Sequence, residues 1–351
     1  MQKKKFGFLS ERKTQSKKST KQIVKRLKNS KSIAVTGGTG HLGINLIKEL
    51  LQQGFIVKAL IRHSSFPIIH KNLSWIEGDL NNLTTLKKLI DKCEAVIHSA
   101  SAISLGEKKQ DLVYEVNVTG TQNLLATCLD KPVRFIYISS STVVEDPVND
   151  EVFNENRSYK TDKSFYYAWT KAMAEKDVLK YEANHNLDAC IIRSTAIIGP
   201  EDRGPSPFGK TIEDLNLGKL PFITKGGYNM IDVRDLSTTI ISSISRAKKG
   251  GIYLVGGEYV SLENLAKMAN KNKVPRSLSI DFLVKILPLI RVYEKFFPLK
   301  WPISKESLST LKNAAKIMDC SKAKTELGHE SRPVQESVND LLEWFHKNNR
   351  S

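Results

Sequence analysis

The sequence predicts an α/β protein, a doubly wound parallel sheet with a smaller, mostly C-terminal lobe. Two observations carry this. Short runs rich in Val and Ile alternate with helical stretches from Ser32 to about Gly199. Strands separated by helices imply right-handed βαβ units and a parallel sheet. The runs are also nearly continuous in apolar residues, as expected of strands covered on both faces.

The elements follow in order. SIAVTG is a strand, and HLGINLIKELLQQG is a helix ending at Gly54. FIVKALI and LSWIEGD are the second and third strands, with a helix near Leu83–Asp91. EAVIHSA is a fourth strand, VYEVNVTGTQNLLATCL a helix, and VRFIYISS a fifth strand. SFYYAWTKAMAEKDVLKYEANH is helical and LDACIIRST is a sixth strand. Beyond Gly199 the rhythm breaks. GPEDRGPSPFGK reads as a loop, with three prolines and three glycines. Shorter elements follow: a helix at Asp235–Ala247, a strand at Ile252–Val255, and helices at Ser261–Asn270 and about Val334–Lys347. The expected division is a disordered tail over 1–30, a nucleotide-binding sheet domain over 31–199, and a substrate-binding lobe over 200–351. Some elements of that lobe return to pack on the sheet. No internal repeat is present.

Composition limits the classes. The chain has 351 residues, 40% hydrophobic and 26% charged, ordinary for a globular protein with a large core. Cys93, Cys128, Cys190 and Cys320 are scattered with no CxxC pair, so neither a disulfide framework nor a zinc site is expected. That favours a reducing compartment, and cytoplasmic residence is the expectation. Net charge is +17, but residues 1–31 hold 12 Lys/Arg against Glu11, leaving +6 for the rest. This tail lacks a secretory apolar run and a helical stripe, so disorder is expected. Contact with acidic lipid and organelle targeting stay open; no specific nucleic acid is expected. The most apolar segment, Ile280–Leu299, is broken by Lys285, Pro288, Arg291, Glu294 and Lys295. It falls short of the roughly 20 apolar residues a span needs. It reads as a helix covering a pocket or resting on a membrane surface.

The glycine knot TGGTGHLG explains itself chemically. Gly38-x-Gly40-x-x-Gly43 fits GxGxxG, and Gly37-x-x-Gly40-x-x-Gly43 fits GxxGxxG. Between a strand and a helix, small residues let a pyrophosphate reach backbone N–H groups at the helix N-terminus. The second strand then bears on cofactor choice. NAD sites usually carry an acid about 20 residues on. Here the strand ends Leu60-Ile61-Arg62-His63, so Arg62 stands where a 2′-phosphate would lie. NADP(H) is favoured and NAD(H) remains open. Asp79, in GDL, is placed to accept a hydrogen bond from the adenine amino group.

Tyr-x-x-x-Lys sets two side chains on one helix face. A tyrosine of pKa about 10 needs help to act near neutral pH, and a nearby ammonium lowers that value. Two matches occur, Tyr159/Lys163 in a polar loop and Tyr167/Lys171 at the start of a helix. Context selects Tyr167 and Lys171. ISSST, ending the fifth strand, offers Ser139, Ser140, Ser141 and Thr142 as the carbonyl-polarising hydroxyl, and pattern alone singles out none.

From Lys31 to the C-terminus the chain resembles the extended short-chain dehydrogenase/reductase family. TGGTGHLG, GDL, HSAS, NVTGT, ISSST, YAWTK, RSTAIIGP and IDVRD carry the likeness. VKALIR and RPVQESVNDLLEWF look most like its dihydroflavonol-4-reductase and 3β-hydroxysteroid dehydrogenase branch. The resemblance implies a Rossmann fold and a Ser/Thr–Tyr–Lys triad. Ser140 would bind the substrate oxygen, Tyr167 would be the acid/base, and Lys171 would bind the nicotinamide ribose and tune the tyrosine. Asn117 would support the proton path or the helix that frames it. Cofactor contacts would fall on Thr36, Gly37, Gly38, Thr39, Gly40, His41, Leu42 and Gly43. Arg62, Asp79, Leu80, Ser99, Ala100 and Ser101 would complete them, with Tyr167 and Lys171. Two positions depart from the pattern: Ser194 follows Arg193 where proline is common, and Val144-Glu145 replace an aromatic-glycine pair.

The expected activity is hydride transfer between NADP(H) and a carbonyl or secondary alcohol of a small apolar substrate. A nucleotide-sugar epimerase or dehydratase with bound NAD is the alternative, and a non-catalytic cofactor sensor is a third reading. Homodimers are common among such relatives, and a weak membrane contact through the tail or residues 280–299 stays open.

Overall fold

A computed structural model describes residues 32–62, 68–103, 110–129, 131–148, 151–296 and 305–348. The basic tail over 1–30, His63 and the end of the apolar segment at 297–299 lie outside the described residues.

The first half is a strand–helix alternation. It runs β1 (Ser32–Thr36), α1 (His41–Gln52), β2 (Ile56–Ile61), β3 (Leu73–Glu77), α2 (Leu83–Ile90) and β4 (Cys93–His98). A helix follows in two parts, α3 (Gln110–Tyr114) and α4 (Gly120–Cys128), joined by a π turn over Glu115–Thr119. Then come β5 (Arg134–Ser140), α5 (Tyr166–His185) and β6 (Ala189–Ser194). The seven-stranded sheet has the order β10-β6-β5-β4-β1-β2-β3, where β10 is Ile252–Val255 from the second half. Every pairing in it is parallel.

Order reverses between β1 and β4, the place where open sheets of this kind bind ligands. Alternate side chains feed two cores. Ile33, Val35, Ala95 and Ile136 pack on one side with Leu46 and Ile240; Ala34, Val96, Phe135 and Ile191 pack on the other with Leu86 and Leu124.

The second half both returns to this sheet and builds its own lobe. It contains β7 (Ala196–Ile198), α6 (Pro207–Asn216), β8 (Phe222–Thr224), β9 (Gly227–Asp232) and α7 (Val233–Arg246). After β10 come β11 (Glu258–Ser261), α8 (Leu262–Ala269), β12 (Arg276–Leu278), α9 (Ile280–Phe296), α10 (Lys305–Lys312) and α11 (Val334–Asn348). Strand β9 pairs with β7 in parallel and with β11 antiparallel, and β8 pairs with β12 in parallel. A separate core of Ile212, Leu265, Leu283, Leu308, Val338 and Leu341 holds the lobe together.

One expectation is corrected. GPEDRGPSPFGK is not loop throughout, because Pro207 starts α6. Proline suits a first helical position, where its missing N–H would be unpaired anyway, and the Ser206 hydroxyl accepts from Gly209 N–H at 3.0 Å. The short strands β7, β8, β11 and β12 run only three or four residues each and escape pattern reading.

Candidate active site

The glycine turn joins β1 to α1. Gly37 has φ of +72°, and a Cβ there would lie 2.6 Å from the Ala100 backbone nitrogen. A Cβ at Gly43 would meet the Gly37 carbonyl oxygen at 2.0 Å. Both glycines are thus required by the packing of the turn itself. Gly40 differs: the nearest atom to a Cβ there is 3.4 Å away, an ordinary contact, and the space beyond it is open. No side chain caps α1, and its first turn holds no acid. Unpaired N–H groups, a positive helix end and open room above Gly40 form a cradle that fits a pyrophosphate.

Several side chains around this turn have other work. The Thr36 hydroxyl lies 2.6 Å from His98 Nδ1 and accepts from Ala100 N–H at 3.3 Å. The Ser99 hydroxyl donates to the Thr36 carbonyl at 2.7 Å. His41 Nε2 stands 3.0 Å from both the Gly199 and Pro200 carbonyls, fixing the chain after β7 to the start of α1. Leu42 packs against the core. Thr36, His41, Leu42 and Ser99 therefore face the turn through their backbone, and only Thr39 is exposed with Gly40. Arg62 is exposed at the end of β2. Asp79 is exposed too, one oxygen accepting from Asn81 and Asn82 N–H at 2.9 and 3.1 Å. Leu80 packs beneath Gly120.

On the other side of the sheet edge stand the hydroxyls of ISSST. Ser139 points into the interior, where its Oγ has no hydrogen-bond partner among the described residues. Ser140, at the strand end, is half-buried; its Oγ accepts from Thr142 N–H at 3.2 Å and lies 2.9 Å from Thr142 Oγ1. Strand alternation thus turns Ser140, not Ser139, toward the cleft.

The competing tyrosine–lysine pairs separate cleanly. Tyr159 packs beneath the guanidinium of Arg193 and the ammonium of Lys176, while Lys163 lies 4.9 Å over the ring of Trp169. That pair does not converge. Tyr167 and Lys171 instead share one face of the first turns of α5. Lys171 is buried, donates to the Ile138 carbonyl at 2.6 Å, and sits 4.1 Å over the ring of Tyr137. Burial pulls its pKa down to about 7, against an opposing pull from Glu175. Burial pushes the Tyr167 phenol up, and a hydrogen bond with Ser101 offsets part of that rise. The net shift of the phenol is therefore upward, with burial its largest cause. Lys171 is itself desolvated and bound to a backbone carbonyl, so the dry surroundings dominate Tyr167.

Asn117 ties these parts together. Its Oδ1 accepts from Ser101 Oγ at 3.1 Å and Ala102 N–H at 2.8 Å. Its Nδ2 donates to the Ala102 carbonyl at 3.0 Å and Thr170 Oγ1 at 3.1 Å. All its polar capacity is taken, so it frames the site by joining β4, the π turn and α5.

A group that sequence reasoning passed over lies beneath the turn. His98 is fully buried between Thr36 Oγ1 and Thr121 Oγ1, the latter 2.9 Å from Nε2. Thr121 donates to the Asn117 carbonyl at 2.7 Å, so its oxygen must accept from Nε2–H. Nδ1 therefore accepts from Thr36. The signal was visible as a lone polar residue ending an apolar strand, in HSAS.

A cavity of ≈ 520 Å³ is lined by Glu145, Asp146, Lys160, Phe165, Ser309 and Asn313, among others; Ser140, Tyr167 and Lys171 are not among its lining residues. Lys160 is buried, pairs with Asp146 at 2.8 Å and sits 4.9 Å over the Phe165 ring. Among the described residues the apolar segment does not line it, and Phe282, Val284 and Leu289 are exposed. Among the described residues no cluster of side chains could hold a metal ion, and no helix is long and apolar enough to cross a membrane.

Comparison with known proteins bears on the family and the fold. Residues 33–256 match the NAD dependent epimerase/dehydratase family. The chain is 32% identical over 330 residues to a Synechocystis protein named "Putative dihydroflavonol 4-reductase", covering 89% of this chain and 93% of that one. It is 28% identical over 320 residues to sterol demethylase protein B of Methylococcus capsulatus, covering 89% and 97%. The crystal structure of gox2253 superposes with a TM-score of 0.78 at 26% identity, covering 92% of this chain and 99% of that one.

Proposed function

The chain belongs to the NAD dependent epimerase/dehydratase family, in its extended short-chain dehydrogenase/reductase branch, and on that premise we propose that it is an NADP(H)-dependent oxidoreductase. Its substrate on this reading is a carbonyl or secondary alcohol on a small, largely apolar molecule. What supports the proposal is that Lys171 shares the first turns of α5 with Tyr167 and is bound to the Ile138 carbonyl, two residues before Ser140 on β5. The relatives' names, a dihydroflavonol reductase and a sterol demethylase component, support an apolar ring-bearing substrate.

The glycine turn, with the free N–H groups of α1, would hold the pyrophosphate; Asp79 would meet the adenine and Arg62 a 2′-phosphate. When bound, the nicotinamide supplies or accepts the hydride. The protein's own groups handle the oxygen. In the reduction direction, Ser140 donates a hydrogen bond to the substrate carbonyl, and Tyr167 hands its phenolic proton to the developing alkoxide. A high phenol pKa keeps that proton in place until the oxygen becomes basic. The Ser101 hydroxyl, linked to Asn117, holds the phenol in position. Lys171 is fixed by Ile138 and completes the electrostatics of the tyrosine.

The polar lining of the cavity at Glu145 and Lys160 favours a second reading. Its Glu145, Asp146 and Lys160 would suit a polar sugar better than a sterol, as in a nucleotide-sugar epimerase. A paired titration with NADPH and NADH, followed by nicotinamide fluorescence, separates the two. We expect tighter NADPH binding, and Arg62→Ser to remove that preference while leaving NADH binding unchanged. NAD retained through purification, or a preference for NADH that Arg62→Ser leaves alone, would support the sugar reading instead. Tyr167→Phe should abolish turnover and preserve cofactor binding.

A further inference from the structure

We infer that one face of the C-terminal lobe docks on an anionic bilayer surface. Three short segments build this face. Parallel pairing of β8 with β12 sets Phe222 beside Arg276 and Thr224 beside Leu278. Lys225 continues the register by donating its N–H to the Leu278 carbonyl at 3.2 Å. At the other end, Gly218 lies against the side chain of Lys273, and Asn270 Nδ2 donates to the Asn216 carbonyl at 2.7 Å. The chain then turns directly from β12 into α9. Residues 216–225 and 270–278 therefore lie side by side, and 280–289 continues directly from them with Ile280 and Leu283 packed in the same lobe core.

Each segment exposes apolar side chains. Leu217 is 46% exposed, Val274 36%, Phe282 51% and Leu289 70%. Each also exposes cations: Lys219 and Lys225, then Lys273 and Arg276, then Lys285. The only acid in the three segments is Asp281, which is paired with Lys312 at 2.8 Å. In α9 the two characters share one face. Phe282, Lys285 and Leu289 fall at i, i+3 and i+7, while Ile280 and Leu283 turn inward to the lobe core.

A single exposed leucine means nothing, because much of any protein surface is apolar. Apolar side chains interleaved with cations, and almost without acids, are another matter. That is the pattern of a surface lying in the headgroup region, where both parts are satisfied at once. A second copy of the same face would set cations against cations, which is unfavourable. A nucleic acid would meet the cations but leave Leu217 and Leu289 in water. The net charge of +17 adds a general attraction to anionic lipid.

The test uses the full chain with Leu289→Cys carrying an environment-sensitive dye; the four native cysteines are buried and stay unlabelled. Vesicles are phosphatidylglycerol mixed with phosphatidylcholine, and phosphatidylcholine alone. We expect a blue shift of the dye with the anionic vesicles, weakened by salt and absent with the neutral ones. Lys273→Glu with Lys285→Glu should weaken partitioning by about ten-fold or more, as each cation near such a surface adds a measurable share. Phe282→Asp should weaken it similarly, with thermal melting unchanged because the site is exposed. Flotation of the chain without a dye shift would overturn the proposal, since the contact would then lie elsewhere, as in the basic tail. Unchanged partitioning of the variants would overturn it too, as would a dye shift produced by self-association or by an oligonucleotide rather than by vesicles.

Discussion

His98 Nδ1 accepts a hydrogen bond from Thr36 at 2.6 Å, in the interior directly below the glycine turn. This bond fixes the end of β4 to the end of β1. Through Thr121 and Asn117 the same imidazole reaches the π turn that frames Tyr167. Burial holds its pKa down at about 3, against an ordinary 6.5, so the ring stays neutral across the working range.

A pH signature follows from that burial. Between pH 6.5 and 3 the unfolded chain binds a proton that the folded protein excludes. The contribution of this group to stability is therefore full above pH 6.5 and is lost as pH falls toward 3. Each unit is worth about 1.4 kcal/mol, so about 2 kcal/mol is gone near pH 5. His98→Phe keeps a ring beside Phe135 and Tyr137 but leaves the threonine hydroxyls without their partner. It should cost about 1–3 kcal/mol near pH 7.5. It should also remove the acid sensitivity, so the two proteins converge near pH 5. Urea unfolding at both values reads this directly; an equal gap at each would exclude the titration.

The glycines of the turn should divide by what they serve. Gly43→Ala forces a Cβ against the Gly37 carbonyl oxygen and should destabilise the fold by several kcal/mol, on the order of a severe overpacking. Gly40→Ala makes a single contact, with the Gly37 carbonyl oxygen at 3.4 Å, so its melting temperature should stay within a degree or two of the parent, roughly the size of a neutral surface change. It should nonetheless weaken cofactor binding sharply, because its methyl group enters the pyrophosphate cradle. Calorimetric melts together with an NADPH titration test both. Intact cofactor binding in Gly40→Ala would move the pyrophosphate elsewhere.

Much of this arrangement was legible in the sequence because it rests on local rules. The glycine turn sits between a strand and a helix whose periods are unmistakable, and Tyr167 opens a helical pattern while Tyr159 does not. What escaped reading depends on tertiary contacts. Strands β7, β8, β11 and β12 are too short to show a period, and Pro207 looks like a loop residue until Ser206 is seen to cap the helix behind it. The surroundings of Lys171 were hidden for a related reason. Spacing places the pair on one face, but only the fold shows that Lys171 is buried and held by Ile138. The outward position of Phe282 and Leu289 was equally hidden, since an apolar run reads the same whether it covers a pocket or faces outward.

The neighbouring serines of β5 should respond oppositely. Ser139 Oγ is buried without a partner, so Ser139→Ala removes an unmet polar group and should leave stability unchanged or raise it by up to about 1 kcal/mol. Its kcat should barely move. Ser140→Ala removes the hydroxyl at the cleft and should lower kcat by about 10²–10³-fold, the usual loss of one oxyanion donor. Cofactor affinity should be unaffected in both. If Ser140→Ala kept full turnover, the role would pass to Thr142, which shares its hydrogen bond.

Lys171 gives a last prediction whose sign is set by burial. Its pKa is drawn from 10.5 to about 7, so between pH 7 and 10.5 the unfolded chain holds a proton the folded protein has lost. Stability attributable to this group therefore rises with pH across that window, and the cost of burying the ammonium is greatest below pH 7. Lys171→Met keeps the length of the side chain and removes the charge. It forfeits the bond to Ile138, but should still be favoured most strongly at low pH. The stability difference between variant and parent should shrink by on the order of 2 kcal/mol between about pH 6 and pH 9, at about 1.4 kcal/mol per unit. Other titrating groups are shared by both proteins and cancel in the difference. Turnover should be lost at every pH, because the methionine has no hydrogen-bonding nitrogen to hold the nicotinamide ribose as Lys171 would. A stability gap independent of pH would mean that Lys171 stays protonated in the folded protein, and that Glu175 outweighs the dryness of the site.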